Sequence, residues 1–171
     1  RRARSSMNNQ LELPLPEIAN RKSRHPAKEF KIVALRECPL PDDMQLCKRP
    51  DQSAAYWHLH IKTHPWFNPE VECLAVLMLN TRLRVKGHHL VTMGIADTLL
   101  AHPREIFRCA VIASASAIVI MHNHPSGDPT PSEADIKVTR DMIRAGQLLR
   151  IHVLDHVVIG RPDDKFTSLR D

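Results

Sequence analysis

Two almost unbroken apolar runs constrain the fold of this chain more than any other feature. They are ECLAVLMLN at residues 72–80 and AIVIM at residues 117–121. An apolar run without polar alternation is typical of a strand that is buried on both faces of its sheet. Such a sheet needs a covering layer on each side. The sequence therefore predicts a layered α/β domain.

Four further segments complete the predicted sheet and the helices that cover it. In chain order they are a strand at 85–94, a helix at 103–115, a helix at 132–149 and a strand at 151–160. The first of these strands follows a turn and pairs with residues 72–80 as a hairpin, which makes the sheet mixed. Pro103 suits the first position of a helix, and Ser132 suits an N-cap. The predicted fold class is α/β, with a mixed sheet flanked by helices.

The chain before the first apolar run differs in character. Residues 1–30 include ELPLPEI, whose prolines forbid a helix interior, and predict a basic extended arm. Residues 31–65 predict an attachment segment with a short strand at 31–38 and a short helix at 53–63. Residues 66–171, which contain both apolar runs, are then predicted to form a catalytic domain.

The positive charge of the chain is concentrated in this arm. The net charge is +5, but residues 1–28 hold seven of the 24 basic residues and only two of the 19 acidic residues, so the remainder is balanced. The same residues contain no aromatic side chain on which a nucleic-acid base could stack. A solvated arm is therefore favoured over a nucleic-acid-binding segment.

The sequence predicts no membrane segment. No stretch reaches the roughly 18 unbroken apolar residues of a spanning helix, and the first residues lack the apolar region of a signal peptide. The four cysteines show no CxxC spacing, which is typical of reduced thiols. We expect a soluble, cytoplasmic protein without a membrane partner.

A pair of histidines follows directly on the second apolar run. Successive side chains of a strand alternate, so His122 and His124 project to the same side. Asp135 follows eleven residues later, after a loop whose prolines and glycine allow the chain to turn back. Two imidazoles and one carboxylate leave the fourth position of a tetrahedral zinc ion open, which is typical of catalytic zinc. The sequence therefore predicts Zn²⁺ held by His122, His124 and Asp135.

A catalytic zinc site also needs a carboxylate that does not bind the metal. Glu72, at the start of the first apolar run, is the candidate for this general base. Glu70 is the near alternative, because alternation along a strand places both on one face. Ser132 is a candidate hydrogen-bond donor to an oxyanion. Ser132 and Asp135 also fit the S-x-x-D pattern of a capping box, so a capping role stays open.

These residues resemble a known signature. Glu72 followed by HNHPSGDPTPSEAD at residues 122–135 resembles the JAMM (MPN+) metalloprotease motif, in the form found in the RadC-like JAB-domain family. The resemblance extends over roughly residues 66–160 and includes HPREIF and LDHVVIG. It implies a cytidine-deaminase-like JAB/MPN fold, and it implies the same roles for the three metal ligands, the base and the oxyanion donor.

Other polar residues have alternative explanations. His58, His60 and His64 form a second histidine cluster, but they do not share one helix face and no acidic partner follows at a similar spacing. Solvated side chains are the favoured interpretation of these three histidines. Asp155 and His156 lie in an apolar strand and need partners if buried. One of the two could support a zinc ligand, and a structural hydrogen bond is an equal alternative.

The leading functional hypothesis is a zinc metalloprotease that hydrolyses peptide or isopeptide bonds in a peptide or protein substrate. A second hypothesis is a DNA-repair-associated or nucleic-acid-binding factor with a zinc site, which the basic arm and the family name suggest. The HNH triplet superficially resembles HNH nucleases, but the S-x-x-D pattern that follows favours the JAMM motif. A third hypothesis is a metal-stabilised interaction module without catalysis.

Overall fold

The computed structural model of this chain describes residues 28–29, 33–94, 101–163 and 165–170. Only Lys28 and Glu29 of the predicted arm fall within the described part, so the extended conformation of that arm lies outside it. Residues 34–171 form one compact unit. The division between an attachment segment and a catalytic domain at residue 65 stays a prediction.

A five-stranded mixed sheet lies at the centre of this unit. The strands are β1 (Cys73–Leu79), β2 (Val85–Met93), β3 (Ala117–Asn123), β4 (His152–Ile159) and β5 (Phe166–Ser168). They lie in the spatial order β2-β1-β3-β4-β5. β1 is antiparallel to both β2 and β3, whereas β3 is parallel to β4. The predicted mixed α/β sheet is confirmed. β5, which is antiparallel to β4, was not predicted, because three residues are too few to show a hydrophobic pattern.

Helices cover both faces of the sheet. They are α1 (Pro50–Tyr56), which continues into a π-helical turn (Trp57–Ile61), α2 (Pro103–Ile112) and α3 (Glu133–Leu149). A single 3-10 turn (Asp42–Met44) precedes them. Odd-numbered residues of β1 and β3 pack with α1 and the π-helical turn, and even-numbered residues pack with α2 and α3. This division follows from the alternation of side chains along each strand. The same alternation determines toward which face of the sheet the residues after β3 project.

The predicted strand at 31–38 is wrong over its described part. Residues 33–38 form no strand, and the side chain of Leu35 is 90% exposed. A strand needs a neighbour with which to pair its main chain. Within the described residues, the start of β2 is paired instead by the segment after the 3-10 turn, through a bridge between Leu46 and Arg84.

No helix in the described ranges has the length and apolar character that crossing a lipid bilayer requires.

Candidate metal centre

The end of β3 supplies two imidazoles to the α2/α3 side of the sheet. His122 lies on the same face as Ile118 and Ile120, and its side chain is fully buried. His124 follows two residues later and points to the same side, as the alternation predicted. Its Nδ1 donates a hydrogen bond to the main-chain oxygen of Asp128, at 2.8 Å. A carbonyl oxygen can only accept, so Nδ1 of His124 is the donor in this bond. The other ring nitrogen, Nε2, lies on the far side of the ring from Asp128 and faces His122.

The third group comes from the first turn of α3. Ser132 caps this helix in a reciprocal capping box with Asp135, and the box holds the Asp135 carboxylate near the end of β3. The loop between β3 and α3 is fixed by two main-chain hydrogen bonds to the end of β4 and the residues after it. His124 N donates to Ile159 O at 3.1 Å, and Arg161 N donates to Gly127 O at 2.8 Å. Asp135 is 3% exposed, so its charge requires partners.

The three donor groups converge on one point. His122 Nε2 lies 3.0 Å from His124 Nε2 and 3.2 Å from an Asp135 oxygen, and His124 Nε2 lies 3.5 Å from the other Asp135 oxygen. Ligand atoms at the usual zinc distances and tetrahedral angles are about 3.3 Å apart. The spacing and chemistry of this donor set therefore fit a metal ion, and these three residues are the group in the described structure that could hold one.

The protonation of the three groups follows from their surroundings. Burial lowers the pKa of His122 to about 3, so its ring is neutral near pH 7. Burial opposes ionisation of Asp135, but hydrogen bonds with His124 and Ser132 hold the pKa of its carboxyl below the usual range. The hydrogen bond with Asp135 raises the pKa of His124. His124 is therefore the ligand whose proton competes with a metal ion near neutral pH.

Glu72 lies directly before β1, beside the residues that could hold a metal ion. β1 and β3 pair in antiparallel register with Leu74 opposite His122, so continuing the register places Glu72 opposite His124. The negative charge of Glu72 contributes to the raised pKa of His124, as expected for neighbouring groups. The Asn123 side chain bonds the main chain on both sides of Glu72, accepting from Cys73 N at 3.0 Å and donating to Val71 O at 3.1 Å. Sequence reasoning missed this role of Asn123.

Glu70 occupies a different position. It lies in a turn before β1, and not on a strand face shared with Glu72 as the sequence suggested. Its carboxylate is exposed and lies 3.7 Å from the guanidinium of Arg161. The structure thus places Glu70 in a turn beside Arg161, whereas Glu72 lies opposite His124.

The hydroxyl of Ser132 is engaged with Asp135. It donates to Asp135 Oδ2 at 2.6 Å and accepts from Asp135 N at 3.1 Å. The capping role that the sequence left open is thus present. The role of oxyanion donor stays a prediction, and it requires this hydroxyl hydrogen to leave the carboxylate.

Behind His122 lie two residues that complete the buried polar cluster. His156 Nε2 lies 2.8 Å from His122 Nδ1, and His156 Nδ1 lies 2.6 Å from Thr139 Oγ1. Of the two polar residues considered in the last predicted strand, His156 therefore contacts His122, one of the three residues that could hold a metal ion. Asp155 points to the other side and accepts from Ser168 at 2.8 Å. Thr139 was missed, although its position one helical turn after Asp135 is a signal that the sequence contains.

The second histidine cluster does not join this site. His60 is only 7% exposed and its ring Nε2 donates to the main-chain oxygen of Pro39 at 3.0 Å. The prediction that all three histidines are solvated is therefore wrong for His60. Its ring also packs against Tyr56, at 5.0 Å between ring centroids, because the π-helical turn directs it inward. His64 is partly exposed, but both ring nitrogens of His58 are buried, so the prediction of a solvated side chain is also wrong for His58.

Comparisons with known proteins identify the family of this chain. A family model described as the RadC-like JAB domain matches residues 47–171. The UPF0758 protein tlr1707 of Thermosynechococcus vestitus is 51% identical over 100 residues, which are 58% of this chain and 39% of the relative. The UPF0758 protein of Moorella thermoacetica is 50% identical over 100 residues, 58% of this chain and 43% of the relative.

A third relative, the UPF0758 protein of Desulforamulus reducens, is 46% identical over 99 residues, 58% of this chain and 43% of the relative. The matched segments thus span about two-fifths of the length of these curated relatives. The family model covers well over half of the chain and includes the three residues that could hold a metal ion. The chain belongs to the RadC-like JAB domain family.

Proposed function

We propose that this chain is a zinc-dependent hydrolase that cleaves peptide or isopeptide bonds. The observation that carries the proposal is the convergence of two imidazole nitrogens and one carboxylate within 3.0 to 3.5 Å of one another. Two imidazoles with one carboxylate are a common zinc donor set, and three protein ligands leave a coordination position open, as in catalytic zinc sites. Bound zinc would supply Lewis-acid chemistry, polarising a carbonyl group and acidifying water.

Glu72 is the proposed general base. It stands opposite His124 across the β1–β3 pair without belonging to the converging donor group. A carboxylate in this position would accept a proton from the attacking water and deliver it to the leaving amine. The two hydrogen bonds of Asn123 to the main chain around Glu72 would hold it in place during this transfer. Glu70, paired with Arg161, is not the proposed base.

Ser132 is the proposed oxyanion donor. Ser132 is exposed, and its hydroxyl lies 2.6 Å from a carboxylate oxygen of Asp135, one of the proposed metal ligands. A hydroxyl in this place would donate to the negative oxygen that develops when water attacks a carbonyl. This requires that the hydroxyl rotate from Asp135 to the substrate, while the Ser132 main-chain N–H keeps its bond to the carboxylate.

A matched pair of variants tests the base. The protein is purified without chelator, and its zinc content is measured by elemental mass spectrometry. A mixed-sequence peptide library and a set of lysine-linked isopeptides are then incubated with it, and products are identified by mass spectrometry. Glu72→Gln should retain zinc and lose roughly 100-fold or more of the turnover, the usual contribution of general acid–base catalysis. Glu70→Gln should retain both.

Three results would contradict the proposal. Full turnover by the Glu72→Gln variant would remove Glu72 as the base. Purification with stoichiometric iron instead of zinc would point to a different chemistry, since two histidines and a carboxylate also form iron sites. Absence of cleavage in both substrate sets by zinc-loaded protein would exclude peptide and isopeptide hydrolysis as its activity.

A further inference from the structure

A continuous line of short polar contacts runs from the buried side of His122 to the main chain of α3. His122 Nδ1 lies 2.8 Å from His156 Nε2, and His156 Nδ1 lies 2.6 Å from Thr139 Oγ1. Thr139 Oγ1 lies 2.6 Å from the main-chain oxygen of Asp135. His122 and His156 are fully buried and Thr139 is 8% exposed, so these atoms satisfy one another.

The positions of the hydrogens follow from the fixed end of this line. Two oxygens at 2.6 Å need a hydrogen between them, and the carbonyl oxygen of Asp135 has none to give. The single hydroxyl hydrogen of Thr139 therefore lies on the bond to Asp135. Thr139 Oγ1 can then only accept from His156, so the His156 hydrogen lies on Nδ1.

The position of the ring hydrogen on His122 follows in the same way. A neutral His156 with its hydrogen on Nδ1 presents a lone pair at Nε2, and the facing atom His122 Nδ1 must donate to it. A neutral His122 with its hydrogen on Nδ1 has a lone pair at Nε2. That atom is the one that faces His124 and Asp135.

We propose that Thr139 and His156 are positioning residues that hold the His122 ring as its Nδ1–H tautomer and so keep Nε2 available for the metal. The proposal rests on the metal centre of the proposed function. The three hydrogen bonds act in one direction, from His122 through His156 and Thr139 to the Asp135 carbonyl.

The two ring nitrogens of His122 compete for its single ring hydrogen. His122 Nε2 lies 3.2 Å from an Asp135 carboxylate oxygen, so the alternative Nε2–H tautomer would find a charged acceptor there. A hydrogen bond to a charged group is stronger than one between neutral groups. Without an acceptor at Nδ1, His122 would place its hydrogen between itself and Asp135, where the metal must bind. His124 needs no such relay, because a carbonyl oxygen already accepts from its Nδ1.

Thr139 also links this tautomer to the third ligand. The carbonyl that receives its hydrogen belongs to Asp135, one helical turn earlier on α3. The main chain of one metal ligand thus fixes the ring hydrogen of another. Since partners behind metal ligands typically contribute about 10- to 100-fold to metal affinity, we expect an effect of that size from removing the Thr139 hydroxyl.

Three threonine variants test the proposal through metal affinity. Thr139→Val removes the hydroxyl at nearly constant volume and should weaken zinc binding about 10- to 100-fold, measured by competition with a chromophoric chelator. Thr139→Ser keeps the hydroxyl and should bind zinc within about threefold of the unmodified protein. Thr63→Val is the matched control, because Thr63 Oγ1 makes the same type of bond to the carbonyl four residues earlier, at 2.7 Å, away from the metal ligands. It should leave the zinc affinity unchanged.

A second measurement reports the ring tautomers directly. Long-range proton–nitrogen correlation NMR of the zinc-free protein reports which ring nitrogen of each histidine carries the hydrogen. We expect Nδ1–H for His122 and for His156, and a shift of His122 toward Nε2–H in Thr139→Val.

The possible outcomes separate this proposal from the proposed function. An Nε2–H tautomer of His122 in the zinc-free protein would overturn the tautomer assignment. Equal zinc affinities of Thr139→Val and the unmodified protein would overturn the positioning role of Thr139. If the unmodified protein binds no zinc, the metal centre fails, and the NMR result still decides the hydrogen positions. Zinc binding with the expected tautomer but no peptide cleavage would support this proposal and contradict the hydrolase.

Discussion

Replacing Ser132 with alanine removes two hydrogen bonds from one end of α3. The lost bonds are the one that Asp135 N donates to Ser132 Oγ, at 3.1 Å, and the one that Ser132 Oγ donates to the Asp135 carboxylate, at 2.6 Å. The third bond of the capping box, from Ser132 N to the carboxylate at 2.8 Å, uses the main chain and remains. The variant therefore weakens the cap while leaving the Asp135 carboxylate with one of its local donors.

The expected loss of stability follows from these bonds. Replacing an N-cap serine with alanine costs about 0.5 to 2 kcal/mol, and a hydrogen bond to a charged group contributes about 1.5 to 3 kcal/mol. Ser132 is exposed, so water can replace part of what is lost. We expect a decrease of about 1.5 kcal/mol in the free energy of unfolding, or roughly 3 to 6 °C in Tm for a chain of this size.

Urea unfolding in the presence of a chelator measures this loss without a contribution from bound metal. Ser132→Thr keeps a hydroxyl and should recover most of the stability. Ser126→Ala is the matched control in the same loop, because Ser126 accepts only a 3.3 Å bond from Asp128 N. It should change the free energy of unfolding by less than about 0.5 kcal/mol.

The same variant also tests the proposed oxyanion role. If Ser132 stabilises developing charge on the substrate, alanine at this position should lower kcat by about 100- to 1,000-fold at saturating zinc. A lower stability with unchanged kcat would show that Ser132 acts as a cap alone. An unchanged free energy of unfolding would refute the stabilising role of the Ser132 hydroxyl in the cap.

Two further predictions concern stability away from the metal centre. Burial lowers the pKa of His88 to about 4, so its neutral form stabilises the fold fully above pH 6.5 and this contribution is lost as pH falls toward 4. The difference corresponds to about 3 kcal/mol, and unfolding of His88→Gln in chelator should lose less stability than the unmodified protein between pH 7 and pH 4. An identical pH dependence of the two proteins would disprove this role. Gly146→Ala should lower the free energy of unfolding by about 1 to 2 kcal/mol, although alanine favours helix by about 1 kcal/mol, because a Cβ there would lie 2.5 Å from the Ile151 carbonyl oxygen. A urea midpoint at or above that of the unmodified protein would contradict the steric argument.

The convergence of the three candidate metal-binding residues could be predicted from sequence because local rules place them. Two histidines separated by one residue point the same way at the end of any strand, and AIVIM is recognisable as a buried strand. Asp135 could be placed because Ser132 begins a helix whose first turn must lie near the loop that follows β3. Each step depends on residues that are close in sequence.

The surroundings of these ligands could not be predicted in the same way. His156 meets His122 only because β4 pairs in parallel with β3, with Ile120 opposite His156, and neither residue type nor spacing determines that register. Asn123 reaches the main chain around Glu72 from 50 residues away. The described part of the predicted strand at 31–38 failed for the related reason that a strand depends on a neighbour that its own sequence does not specify.

Because the sheet is mixed, residues from both β1 and β4 lie beside the last residues of β3. β1 is antiparallel to β3, so its first residues, with Glu72 before them, lie beside the last residues of β3. β4 is parallel to β3, so its later residues, including His156, reach the same end. If β1 were parallel instead, Glu72 would lie at the opposite end of a seven-residue strand, about 20 Å from the candidate metal site and too far away to accept a proton from a water bound there. Because strand direction is set along the whole of β1, the position of the proposed base depends on the apolar pairing of Cys73–Leu79 with Ala117–Asn123 as much as on Glu72 itself.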